Sequence, residues 1–172
     1  MNKKSFITFV WVWAILFSAC ISQKKVLQSS NSLNNNQPEN AWKVDKVVQT
    51  AKEYLGTPYK YAGNDKKGID CSGLTSRAYE SVGIKLPRIA GDQTQAGKKV
   101  SLQNLQKGDL VFFKESVKAS NKITHVGVVS AVKEAGKDVI FIHASTSKGV
   151  MESQLFSKYW KPLIVTAVRV IE

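Results

Sequence analysis

The sequence predicts an α+β domain in which N-terminal helices pack on an antiparallel sheet. Three observations carry this. Residues 42–55 place Val44, Val47, Val48, Ala51, Tyr54 and Leu55 at helical spacing. After Gly108 the chain turns into short runs rich in Val, Ile and Phe, separated by turn residues. Helices therefore come first and strands follow, the order of an α+β fold and not of alternating βαβ units.

In chain order, Gly56 stops the first helix, and the turn-rich stretch "GTPYKYAGNDKKG" follows. A second helix is expected from about Cys71 to Val82, with Asp70 or Ser72 available as its cap and Gly83 as its end. "LPRIAGDQTQAG" reads as a loop with one helical segment. "DLVFF", "HVGVVSAV", "DVIFIHA" and "LIVTAVRVI" are the expected strands.

Ahead of this domain the composition changes. Lys3 and Lys4 precede "FITFVWVWAILFSA", an apolar run shorter than the ~20 residues of a bilayer span but suited to a secretory signal. "FSAC" ends it. Small residues directly before Cys20 resemble a bacterial lipobox, which implies cleavage after residue 19 and lipidation of Cys20; an ordinary cleaved signal or an uncleaved anchor is the alternative. Phe17 stands where that pattern prefers Leu. Residues 20–40 are polar, Asn- and Ser-rich and aperiodic, a flexible tether with a typical reach of roughly 25 Å. The expected organisation is thus a signal peptide over 1–19, a lipidated cysteine and tether over 20–40, and one domain over 41–172. Cys71 is then the only free thiol, without a disulfide partner.

The chain holds 25 Lys and Arg against 13 Asp and Glu, a net charge of +12. Such a surface suits a polyanionic partner such as a wall polymer or an anionic membrane face, or serves solubility alone. The basic residues are scattered without an aromatic-interleaved stripe, which argues against nucleic acid.

Three residues carry candidate chemistry. Cys71 stands where a helix begins, among the small residues Ser72 and Gly73, so unpaired N–H groups and the helix dipole would favour thiolate over thiol. The alternative is a small buried hydrophobe. The only histidines, His125 and His143, each lie in an apolar strand. Either alone suits a core histidine. If their strands form a hairpin and the two face each other, its centre falls at residue 134, close to the turn residue Gly136. Directly opposed residues share a face, the one expected to meet the Cys71 helix, and one imidazole can then orient the other as a base.

"GTPYKYAG" (56–63), "GIDCSGL" (68–74), "LPR" (86–88) with Gln93, "KGDLVFF" (107–113), "HVGVV" (125–129) and "FIHASTSKGV" (141–150) resemble, in that order, the NlpC-type cell-wall cysteine peptidases, which have a compact papain-like fold. Ala62 departs from the family's usual glycine. The resemblance implies Cys71 as nucleophile, His125 as general base, His143 as the orienting third residue and Tyr59 near the oxyanion site. Asp70, Ser72 and Arg88 are further candidates around the substrate, Arg88 as a fork for a peptide carboxylate. Tyr59 as a packing residue, Arg88 as a solvated one and Asp70 as a cap or local orienter are the alternatives.

The implied substrate is the peptidoglycan stem peptide, cut at the D-isoglutamyl–diamino acid bond or at the diamino acid–D-alanine cross-link. The implied protein is a monomeric enzyme without metal or cofactor, held by its lipid at an envelope membrane. A zinc site of Cys71, His125 and His143 lacks the close ligand pairs usual for zinc. An acyltransferase or lipid hydrolase would favour a longer apolar mouth than "NDKKG" offers. A non-catalytic wall-binding lipoprotein would not need all three residues.

Overall fold

Residues 40–172 are described by a computed structural model; the expected signal peptide, Cys20 and the tether up to residue 39 lie outside them. Helix α1 (Ala41–Lys52) buries Val47, Val48 and Ala51 of the predicted apolar stripe, while Tyr54 and Leu55 fall beyond its end with Leu55 exposed, and Gly56 follows with φ +81°. A short hairpin, β1 (Asn64–Asp65) with β2 (Gly68–Ile69), occupies the stretch read as turns and delivers the chain to α2 (Cys71–Glu80). Gly83, at φ +78°, closes the turn after α2.

The sheet has six strands: β3 (Lys98–Lys99), β4 (Leu110–Lys114), β5 (Ile123–Glu134), β6 (Asp138–Ser145), β7 (Gly149–Gln154) and β8 (Ile164–Arg169). Their order is β3-β8-β4-β5-β6-β7, and every neighbouring pair is antiparallel. The four expected strands form its centre. The two-residue β3 is too short for a periodic signal, and β7, "GVMESQ", mixes apolar and polar residues without a bounded apolar run.

Side chains alternate across this sheet. Leu110, Phe112, Val126, Val128, Ile142 and Ala144 face the helices and join Val47, Val48, Leu74 and Ala78 in one core. Val111, Phe113, Val129, Val139 and Phe141 point the other way and join Leu155 and Leu163 in a second.

The β5–β6 hairpin corrects the expected register. Near the strand centres Val128 pairs with Ile142 and Val129 with Phe141, but at the turn Glu134 pairs with Asp138. Two irregularities, after Val129 and after Val132, each add a residue to β5. The turn therefore centres on Gly136 (φ +72°) and not on 134. Carried one step beyond Val128↔Ile142, the pairing sets His143 level with Gly127, so the histidines are diagonal neighbours on one face and not opposite each other. That face is also not the expected one. His125 pairs with Phe113 of the second core, while its neighbour Val126 faces α2.

Ala62 carries a left-handed backbone, φ +58°, the conformation that a glycine would adopt freely. The turn it makes aims the Gly63 carbonyl at the Asp70 N–H, 3.2 Å away. Replacing Ala62 by Gly should relieve that strain and raise the unfolding free energy by about 0.5–1 kcal/mol, read from urea denaturation midpoints. An unchanged or lowered midpoint contradicts this.

Candidate active site

Cys71 is the first residue of α2, and Asp70 is the cap. The Asp70 backbone is extended, and its Oδ1 accepts from the Gly73 N–H at 2.7 Å, satisfying an orphan donor of the first turn. Gly73 has to be glycine, because a Cβ there would strike the Gly63 carbonyl oxygen. Asp70 is only 6% exposed, and Arg88 supplies its counter-charge. Arg88 Nη1 donates to Oδ1 at 2.9 Å and Nη2 to Oδ2 at 2.7 Å. The same guanidinium donates to Ser72 Oγ at 2.8 Å and to the Gly63 carbonyl at 3.1 Å. All four Nη hydrogens of Arg88 are thereby engaged within the protein. The structure uses Arg88 to neutralise a buried cap, not as an open fork for a peptide carboxylate. Ser72 is not the cap; its hydroxyl donates to Asp70 Oδ1 at 3.2 Å while accepting from Arg88.

Gln93 holds the same turn from behind. It is fully buried, donates to the Ser72 carbonyl at 3.2 Å and to the Pro87 carbonyl at 2.8 Å, and accepts from Thr75 Oγ1 at 2.7 Å. A lone glutamine in a loop carries no periodic signal of burial, so its role is not readable from sequence.

The Cys71 thiol, 8% exposed, opens into a cavity of about 280 Å³ lined by Tyr59, Tyr61, Ser72, Arg88, Ile89 and Thr124, among others. Burial pushes the thiol pKa up. The Val126 N–H facing the sulfur pulls it down, the Asp70 charge raises it further, and the Ser72 N–H lowers it. The net direction is upward, which reverses the expected stabilisation of thiolate: desolvation and the capping carboxylate outweigh the helix end. Tyr59 is raised as well, chiefly by burial and then by Cys71 and Asp70, so its hydroxyl stays a donor in the same cavity.

His125 Nε2 lies 3.1 Å from His143 Nδ1, with the rings edge to face at 81°. His143 Nε2 lies 3.0 Å from Ser153 Oγ on β7. Trp160 stacks on His125 at 5.5 Å and 18°, and Phe141 stacks on His143 at 4.8 Å and 20°. This apolar packing lowers both imidazoles: His125 to about 4 by desolvation, His143 to about 3 by desolvation and the neighbouring His125 charge. Both rings are neutral at pH 7, His125 as a base able to accept a proton. The sequence singles out neither Ser153 nor Trp160. Ser153 follows only from recognising β7, where Met151 pairs with His143 and Ser153 with Phe141.

Among the described residues no hydrogen bond joins Cys71 to either imidazole. The sulfur instead faces the N–H of Val126, the residue after His125. His125 turns Nε2 to His143, which leaves Nδ1 as the ring nitrogen free for a proton. Both imidazoles line a cleft of about 580 Å³ with Lys114, Ser145, Lys148 and Trp160, and Thr124 borders this cleft and the Cys71 cavity alike. A buried thiol, a neutral base with an oriented partner and a row of N–H groups at a helix start form the equipment of nucleophilic acyl chemistry.

The chain is similar to known proteins in sequence and in fold. The sequence pattern of the NlpC/P60 family matches residues 56–169. The murein DD-endopeptidase MepS/murein LD-carboxypeptidase of Escherichia coli K12 is 36% identical over 151 residues, spanning 87% of this chain and 75% of that protein. The bifunctional muramidase/DL-endopeptidase CwlT of Bacillus subtilis 168 is 38% identical over 125 residues, covering 72% of this chain but 36% of CwlT. A solved NlpC/P60 family protein from Bacillus cereus superposes with a TM-score of 0.66 at 33% identity over 75% of this chain, which spans 40% of that structure.

The lowered imidazoles make stability depend on pH. Their folded pKa values lie below the unfolded 6.5, so as pH falls the unfolded chain takes up protons first and the native state loses ground from about 6.5 down to about 4 through His125 and about 3 through His143. Between pH 7 and 5, where carboxylates stay largely charged, each ring should cost about 1–2 kcal/mol of unfolding free energy. Urea titrations should show this fall, with His143→Gln removing about half of it. A flat profile across that window contradicts buried, neutral imidazoles.

Proposed function

The chain belongs to the NlpC/P60 family, and from that premise we propose that it is a peptidoglycan endopeptidase working through a cysteine nucleophile. The observation that carries the reading is the thiol at the α2 start, held against the N–H of Val126, next in the chain to His125, whose Nε2 is already taken by His143. Cys71 Sγ attacks an amide carbonyl of the stem peptide or its cross-link while its proton passes to His125 Nδ1 by way of the cleft beside Thr124, since no direct contact joins the two groups at rest. Because burial keeps the thiol protonated, this transfer accompanies attack and does not precede it. The oxyanion meets the Ser72 N–H at the helix start and the Tyr59 hydroxyl. When the C–N bond breaks, His125 returns its proton to the leaving amine. Water, deprotonated by the same imidazole, then hydrolyses the thioester and frees Cys71.

Thr124, between the two hollows, marks where the scissile bond lies: acyl side over Cys71, amine side along the imidazoles. The amine side is lined by Lys114, Ser145, Thr146, Ser147 and Lys148, which suits a polar peptide better than an acyl chain and disfavours a lipid hydrolase. The net charge of +12 favours residence on an anionic wall. We place the domain at an envelope membrane facing the wall, tethered by lipid on Cys20.

Purified protein incubated with peptidoglycan stem peptides, with products identified by mass, tests the chemistry. Cys71→Ala should reduce cleavage to background while the unfolding midpoint barely moves. His125→Ala should be nearly as severe, since no base remains, and His143→Ala milder, since the base is only misoriented. Undiminished cleavage by Cys71→Ala refutes the cysteine mechanism.

The anchor has its own test. Cys20→Ser should abolish metabolic fatty-acid labelling and leave domain folding intact. Persistent labelling of that variant rejects lipidation at Cys20.

A further inference from the structure

His143 is 2% exposed and has a polar neighbour on each ring nitrogen: His125 Nε2 on Nδ1 and Ser153 Oγ on Nε2. A neutral imidazole carries one proton, so the two contacts cannot be chosen independently. Only two arrangements satisfy the row. In the first, His143 carries its proton on Nε2 and donates to Ser153; its Nδ1 then accepts from His125 Nε2–H, and His125 Nδ1 is left with a lone pair. In the second, Ser153 donates to His143 Nε2, His143 donates through Nδ1, and His125 is left with a proton on Nδ1, where it can accept nothing from a thiol.

We infer that Ser153 is a positioning residue that selects the tautomer of both histidines, holding His125 Nδ1 unprotonated and able to act as the base. Ser153 lines the cleft and is half-buried, so its own hydroxyl proton has the open cleft to point into while the oxygen accepts from His143. β7 fixes this geometry through its backbone, since Ser153 pairs with Phe141 and Met151 with His143. The arrangement also serves the charged moment of the reaction. When His125 takes a proton at Nδ1 its Nε2–H must keep an acceptor, and His143 offers one only while its own proton is on the Ser153 side. The inference rests on the reading of His125 as the base.

The test has a structural and a kinetic arm. Long-range ¹H–¹⁵N correlation spectra of the ¹⁵N-labelled wild type at pH 7 should show both rings protonated at Nε2 and bare at Nδ1. His143 protonated at Nδ1 overturns the inference. Ser153→Ala should lower kcat about tenfold or more with KM within about twofold, and should shift His143 away from the Nε2–H form; Ser153→Thr, which keeps the hydroxyl, should restore both. Wild-type kcat in Ser153→Ala also overturns it. The tautomer spectra do not depend on turnover. If Cys71→Ala proved active, the cysteine mechanism would fall while the spectra would still decide the role of Ser153.

Discussion

Much of the site depends on one buried carboxylate. Asp70 follows a two-residue strand, caps the helix that Cys71 begins, and accepts from Gly73, Ser72 and both Nη atoms of Arg88. Removing such a group would leave a guanidinium without its partner and a helix start without its cap, each costing on the order of 1 kcal/mol or more. What it secures is orientation. The same contacts aim the first N–H groups of α2 at the sulfur and tie the segment at Gly63 to the loop at Arg88. Gln93 does the same work on the carbonyl side of the turn. The Cys71 thiol is thus placed by a polar lattice and not by apolar packing alone.

Two opposing demands meet at the thiol. Burial keeps water from the thiol but makes the charged forms of Cys71, His125 and His143 all unfavourable. A resting ion pair would have needed a more open or more polar setting. The aromatic packing of Trp160 and Phe141 over the imidazoles produces the opposite, neutral rings at pH 7.

Much of this is legible in the amino-acid sequence. Helical spacing in residues 42–55, a cappable helix start at Cys71 and apolar runs around both histidines suffice for the α+β class, because each is a local signal. What is not legible depends on tertiary context. The bulges in β5 leave no mark in a run of Val, Ser and Ala, so symmetry about residue 134 is the natural expectation and the pairing is offset. Arg88 reads as a free cation until Asp70 is seen to be buried beneath it. The direction of the thiol shift is misread from sequence for the same reason: a helix end is visible there, whereas the depth at which it is buried is not.

The two extra residues of β5 also separate the hairpin mechanically into halves. Both lie between Val129 and Glu134, on the turn side of the regular pairs Val128↔Ile142 and Val129↔Phe141. The imidazoles stand on the other side of those pairs. A change of length or sequence around Gly136 is therefore taken up by strand segments already out of regular step, and the regular pairs act as a clamp that keeps it from re-aiming His125 or His143. The outer hairpin is free to diverge, or to accept a grafted loop or label, while the inner half keeps its alignment.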